Sequence, residues 1–243
     1  MKAIFYKELQ SFFTNPLGYI IVGVYLMMNA LFLWWINNDF NIFESGYAQL
    51  VNFFELSSWL FIFIVPAMAM KSFSEEIKRG TIEIIFTQPI TTWQLVLGKF
   101  LGHLVLGIFA LLPSLFYVFS LSQIAESSNL IDYGAIGLGY LGLILLISCF
   151  TAISLLTSSF TSNQITSFLV GVVTCLILFY AFHGISTFQL FGSEIYSLEY
   201  LSLHYHFASL SRGVADTRNV LFMLSVSFLF LLITYQRIEK LKN

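Results

Sequence analysis

The residues of this chain that could do charged chemistry gather in one place. Between Lys71 and Phe100 the sequence runs KSFSEEIKRGTIEIIFTQPITTWQLVLGKF and holds four of the eleven basic residues. Its densest part is Glu75, Glu76, Lys78, Arg79, Gly80, Thr81, Ile82 and Glu83. Nucleotide hydrolysis would need a P-loop of the form G-x-x-x-x-G-K-[ST]. Gly98-Lys99 is followed instead by Phe100, and Trp93 stands where the leading glycine belongs, so no ATP site is expected here. His103, one turn beyond Lys99, is the best proton-relay candidate, but no acidic residue shares its apolar run. His204 and His206 form an H-x-H whose rings cannot share a helix face, and without a third ligand they do not suggest a metal. Cys149 and Cys175 lie inside apolar runs and suit small buried hydrophobes. No catalytic residue, metal or cofactor is expected in the chain itself.

The elements that must position these residues are set by composition. The chain is 58% hydrophobic and only 10% charged, with a mean hydropathy of +0.83. A soluble domain would carry about 25% charge. The net charge of -2 supplies no basic field for nucleic acid. A bilayer-crossing helix needs roughly 20 apolar residues. Six runs qualify: 17–36, 56–70 extended back through Leu50, 95–121, 134–157, 165–182 and 220–235. The expected fold is therefore an all-α integral membrane protein with six transmembrane helices, one domain over 1–243. The first run is too long for a secretory signal, and no small-residue cleavage site follows Trp35.

Shorter elements complete this frame. Residues 1–15 place Ile4, Phe5, Leu9 and Phe12 among Lys2, Lys7 and Glu8, the pattern of an amphipathic helix on the inner membrane surface, stopped at Asn15-Pro16. In the 71–94 loop, Ser74 can cap a helix with Glu75 and Glu76 in its first turn, Glu75 and Arg79 stand at i,i+4, and Gly80 ends it. Thr81 can cap a second turn, and Thr91 with Gln94 forms a capping box. Gly98 and Gly102 form a G-x-x-x-G for close helix packing. Basic residues 2, 7, 71, 78, 79, 99, 237, 240 and 242 fall on one side, against Arg212 and Arg218 on the other. By the positive-inside rule both termini and the loop are cytoplasmic. Lys99, near the inner end of its span, is expected to snorkel. None of the six span centres carries Asp, Glu, Lys or Arg, which speaks against an ion-coupled carrier.

Two segments carry a family resemblance. FSEEIKRGTIEIIFTQPITTWQLVLGKFLG is similar to the first cytoplasmic loop of type 2 ABC exporter permeases, and residues 196–224 resemble the segment leading into their last span. The chain looks most like the gliding-motility permeases of GldF type. The resemblance implies a coupling helix in the loop that docks on a separate ATPase subunit, which holds the ATP and Mg. It also implies a second permease copy or homologue as partner, an extracytoplasmic re-entrant segment over 184–218, and residence in the bacterial inner membrane. The run from Glu75 to Glu83 is then the expected ATPase contact. A membrane anchor that recruits a soluble partner without transport would use the same loop.

Overall fold

A computed structural model describes residues 1–42, 49–124, 131–187 and 199–242. Among these residues it is all-helical, with six helices long and apolar enough to cross a membrane. Helix α1 is Lys2–Thr14 and α2 is Pro16–Ala30, continued by a π-helical turn at Leu31–Trp35. The break between α1 and α2 follows from Asn15-Pro16. Asn15 leaves helical geometry and its side chain accepts the Leu17 N–H at 3.1 Å, while Pro16 sits in the first turn where no donor is missed.

Helix α3 is Val51–Ala69, and the loop holds α4, Ser74–Lys78, and α5, Thr81–Phe86. Helix α6, Thr92–Leu111, starts at the expected Thr91/Gln94 capping box. Its span is not one continuous helix. Pro113 cannot donate to the ladder, and the chain passes through a 3-10 turn at Leu112–Ser114 before α7, Leu115–Ile124. Helix α8 is Tyr133–Phe160; α9 is Gln164–Leu176, prolonged by a π turn at Ile177–Ala181 and α10, Phe182–Thr187. Helix α11, Leu203–Ser211, and α12, Thr217–Lys242, close the chain. Of the expected re-entrant segment, residues 188–198 lie outside the described residues.

Helix α8 is the hub, packed by α3, α6, α9, α11 and α12. The span built on α3 and that of α8 are each 67% buried, against 22 to 33% for the other four, so these two form the centre and the rest present apolar faces outward. Lipid is as apolar as leucine, so helices in it must associate through close packing and hydrogen bonds. Gly139 admits the Phe54 ring, Gly142 admits Leu210, and Gly107 faces Ile147. Tyr25 and Ser57 lie 3.0 Å apart, and Ser57 donates to Asn29 at 3.3 Å, so Asn29 faces a neighbouring helix. Ser148 donates to Ser227 at 3.0 Å between α8 and α12. Cys149 and Cys175 are free and buried.

A second, smaller apolar cluster forms at the basic end of the bundle. Phe73, Ile82, Leu95, Val96 and Phe100 meet Ala152, Leu155, Leu231 and Ile238 there. Trp93 stacks on Tyr235 at 4.7 Å, and Thr92 donates to Glu239. The loop is thus fastened to both α6 and α12.

Candidate functional site: a loop fastened by a buried ion cluster

The two loop helices take their shape from a few residues. Gly80 holds φ 67°, a left-handed conformation in which a side chain is strained, and this turns the chain from α4 into α5. Two expected caps do not form. Ser74 is inside the first turn and donates back to the Met70 carbonyl; its own N–H is received by Ser158 Oγ at 3.1 Å. Thr81 reaches back to the Glu76 carbonyl at 3.3 Å, with Gly80 at the cap position. Ser158 also accepts the Phe73 N–H at 3.0 Å, so at the start of α4 a residue of α8 receives the donors in place of a local hydroxyl.

Most of the loop's apolar side chains are used within the chain. Ile82 is buried, and Ile77, Ile85 and Phe86 pack against the same small cluster. Of the run expected to touch an ATPase, Glu76 and Ile82 turn inward. Lys78, Arg79, Gly80 and Glu83 are exposed, Glu75 and Thr81 are half-buried, and Ile84, outside that run, is 62% exposed. Arg79 pairs with Glu75 at 2.5 Å in the expected i,i+4 geometry.

Glu76 turns inward to meet Lys99, and here the structure corrects the sequence reading. Lys99 does not snorkel: it is 1% exposed. Its ammonium donates to Glu8 at 2.8 Å and to the Ser72 carbonyl at 2.7 Å, and it pairs with Glu76 at 3.0 Å. Lys7 reaches the same Glu76 oxygen at 2.8 Å. His103 Nδ1 donates to the Lys99 carbonyl, 2.9 Å away, and its other ring nitrogen lies 3.9 Å from Glu8. The acidic neighbour missing from its own span comes from α1. Burial pushes the Glu8 carboxyl up, but Lys99, His103 and Lys7 outweigh it and hold it below its ordinary value.

Gly98 and Gly102 explain how Glu8 arrives there. They line the groove in which α1 lies: a Cβ on Gly98 would stand 3.1 Å from Ile4 Cβ, and one on Gly102 would stand 2.8 Å from Glu8 Cβ. Helix α1 is therefore docked on α6 along one face, although none of its residues is fully buried. One signal for this was present in the sequence. Ile4, Glu8 and Phe12 share a helix face, and a carboxylate in the middle of an apolar stripe requires a partner.

At the opposite end, His183 lies 3.1 Å from Glu199 and its ring sits 4.6 Å from that of His204. Burial, with His183 beside it, drives His204 down to about 4. His206 faces away toward Asn219 at 2.7 Å and the Tyr200 carbonyl at 2.8 Å. Among the described residues, no three His, Cys, Asp or Glu are placed to hold a metal.

Comparison with known proteins agrees with this architecture. The sequence pattern of the family described as ABC-2 family transporter protein matches residues 36–240. No curated protein matches the chain. A match over most of the chain, on an all-helical bundle with six candidate spans, means that it belongs to the ABC-2 transporter family and is a permease, the membrane component of an ABC transporter.

Proposed function

We propose that this permease forms half of an ATP-driven exporter, beside a second copy or a homologous permease, and takes its energy from a separate ABC ATPase docked on residues 71–94. ATP and Mg belong to that ATPase. The observation that carries the reading is the mounting of the loop. Its inner side is fixed by Phe73, Ile82 and the Glu76–Lys99 pair, while its outer side presents Lys78, Arg79, Glu83 and Ile84. A freely swinging loop would dissipate a push. One anchored to α6, α8 and α12 passes a displacement to the spans, provided the ATPase contacts it differently in its open and closed states. The resemblance to GldF-type permeases supports gliding motility, or the secretion behind it, as the biological setting. The same resemblance supports the bacterial inner membrane, and the basic-residue asymmetry supports cytoplasmic termini.

The test uses exposed positions only, because Glu76 and Ile82 variants would disturb the bundle itself. Arg79→Glu and Ile84→Asp should each lower the ATPase that co-purifies with the permease by about tenfold, on the order of 1.4 kcal/mol of contact energy. The permease should remain inserted and monodisperse. Normal ATPase retention and normal ATP turnover in both variants would overturn the reading.

A further inference from the structure

We propose that the cavity between α1 and the inner ends of the first three spans binds one phospholipid of net charge -1, headgroup at the loop and chains toward the bilayer. The cavity measures about 810 Å³ and is not closed off from the outside. That falls within the roughly 300 to 1,000 Å³ of ordinary ligand sites. Its lining is divided by polarity. Phe12, Leu17, Ile21, Met68 and Leu106 supply an apolar side, and Lys7, Lys71, Glu75 and Arg79 supply a charged one.

The charge of the occupant follows from the pairing. Each carboxylate of the lining already has a cation: Glu8 has Lys99, Glu76 has Lys7 and Lys99, and Glu75 has Arg79. Lys71 makes no ion pair with any described residue, yet it lines the same space. One positive charge is therefore left over, and a single phosphodiester matches it. A free phosphate would leave the apolar side against water, and an uncharged lipid would leave Lys71 unmatched. Basic pockets between membrane helices hold anionic headgroups by this combination. The walls include Ser72, Glu75, Glu76 and Thr81 of the loop, so the lipid would sit against the element proposed to receive the ATPase.

The experiment needs no ATPase and so stands apart from the exporter reading. The detergent-solubilised chain is titrated with phosphatidylglycerol and followed by native mass spectrometry, with diacylglycerol and glycerol phosphate as controls. One saturable phosphatidylglycerol is expected, with binding by either control at least tenfold weaker. Lys71→Glu should weaken the lipid at least tenfold. Ser11→Trp, an exposed position on the cavity wall, should do so by filling space rather than by charge. Both variants should keep the lipid-free unfolding temperature. Equal lipid retention in wild type and both variants means an annular lipid only and overturns the proposal. Loss in Ser11→Trp alone overturns the assignment of the headgroup charge, and equal binding of glycerol phosphate overturns the requirement for chains.

Discussion

At the scale of single residues the decisive one is Lys99, because a buried ammonium is tolerated only where it is paired and fully hydrogen-bonded. Its contacts with Glu8, Glu76 and the Ser72 carbonyl satisfy it from three elements at once. Lys99→Met leaves two partly buried carboxylates facing each other, with Lys7 alone for Glu76. Breaking such a pair costs about 3 to 5 kcal/mol. Adding Glu8→Gln to Lys99→Met should recover part of that loss, since it removes one stranded charge. Thermal unfolding in detergent measures both, and strictly additive losses would show that the groups are not coupled. The pH dependence has a definite sign. Glu8 is held below its ordinary 4.5, so its share of stability is present above that value and is lost as pH falls through the lowered one. The gap in unfolding temperature between wild type and Glu8→Gln should therefore narrow as the pH is taken below 4.5.

At the scale of elements, the six spans and the Thr91/Gln94 box were legible because length, hydropathy and local capping chemistry are properties of a single segment. What was not legible is where one segment meets another. The stripe Ile4, Phe5, Leu9 and Phe12 suits a bilayer surface or a protein groove equally, and only the fold shows that Gly98 and Gly102 supply the groove. The Ser74 hydroxyl lost its capping role where Ser158, far off in sequence, took the donors of Phe73 and Ser74, and the Thr81 hydroxyl turns back to the Glu76 carbonyl instead. The two π turns, at Leu31–Trp35 and Ile177–Ala181, have no local signature that the sequence reading could use. The docking of α1 is testable at the glycines. Gly102→Val would drive a branched side chain into Glu8 Cβ at 2.8 Å, so α1 should lift and trypsin should cut after Lys7 several-fold faster than in wild type. Gly137→Ala in α8, with nothing within 4 Å of its Cβ, is the control: it should be neutral or stabilise by up to about 1 kcal/mol through helix propensity. Unchanged cleavage in Gly102→Val would mean that α1 does not rest on α6 in solution.

At the scale of the whole molecule, the two ends of the bundle differ in kind, and the difference carries orientation. One end joins α1, the loop, the start of α6 and the end of α12, through Lys99, the Thr92–Glu239 bond and the Trp93–Tyr235 stack. Nine of the eleven basic residues belong to it, and Arg212 and Arg218 belong to the other. Both termini therefore lie on the loop's side, as an even number of spans requires. The asymmetry in Lys and Arg predicts that this side faces the cytoplasm, since short basic segments resist translocation whatever the acidic residues do. Lys78→Cys and Thr217→Cys place one exposed thiol at each end, and the native Cys149 and Cys175 are buried and should stay silent. In intact cells an impermeant maleimide should label Thr217→Cys and leave Lys78→Cys unmodified until the membrane is permeabilised. Labelling of Lys78→Cys in intact cells would invert the orientation, and with it would remove the loop from the compartment where an ATPase finds ATP.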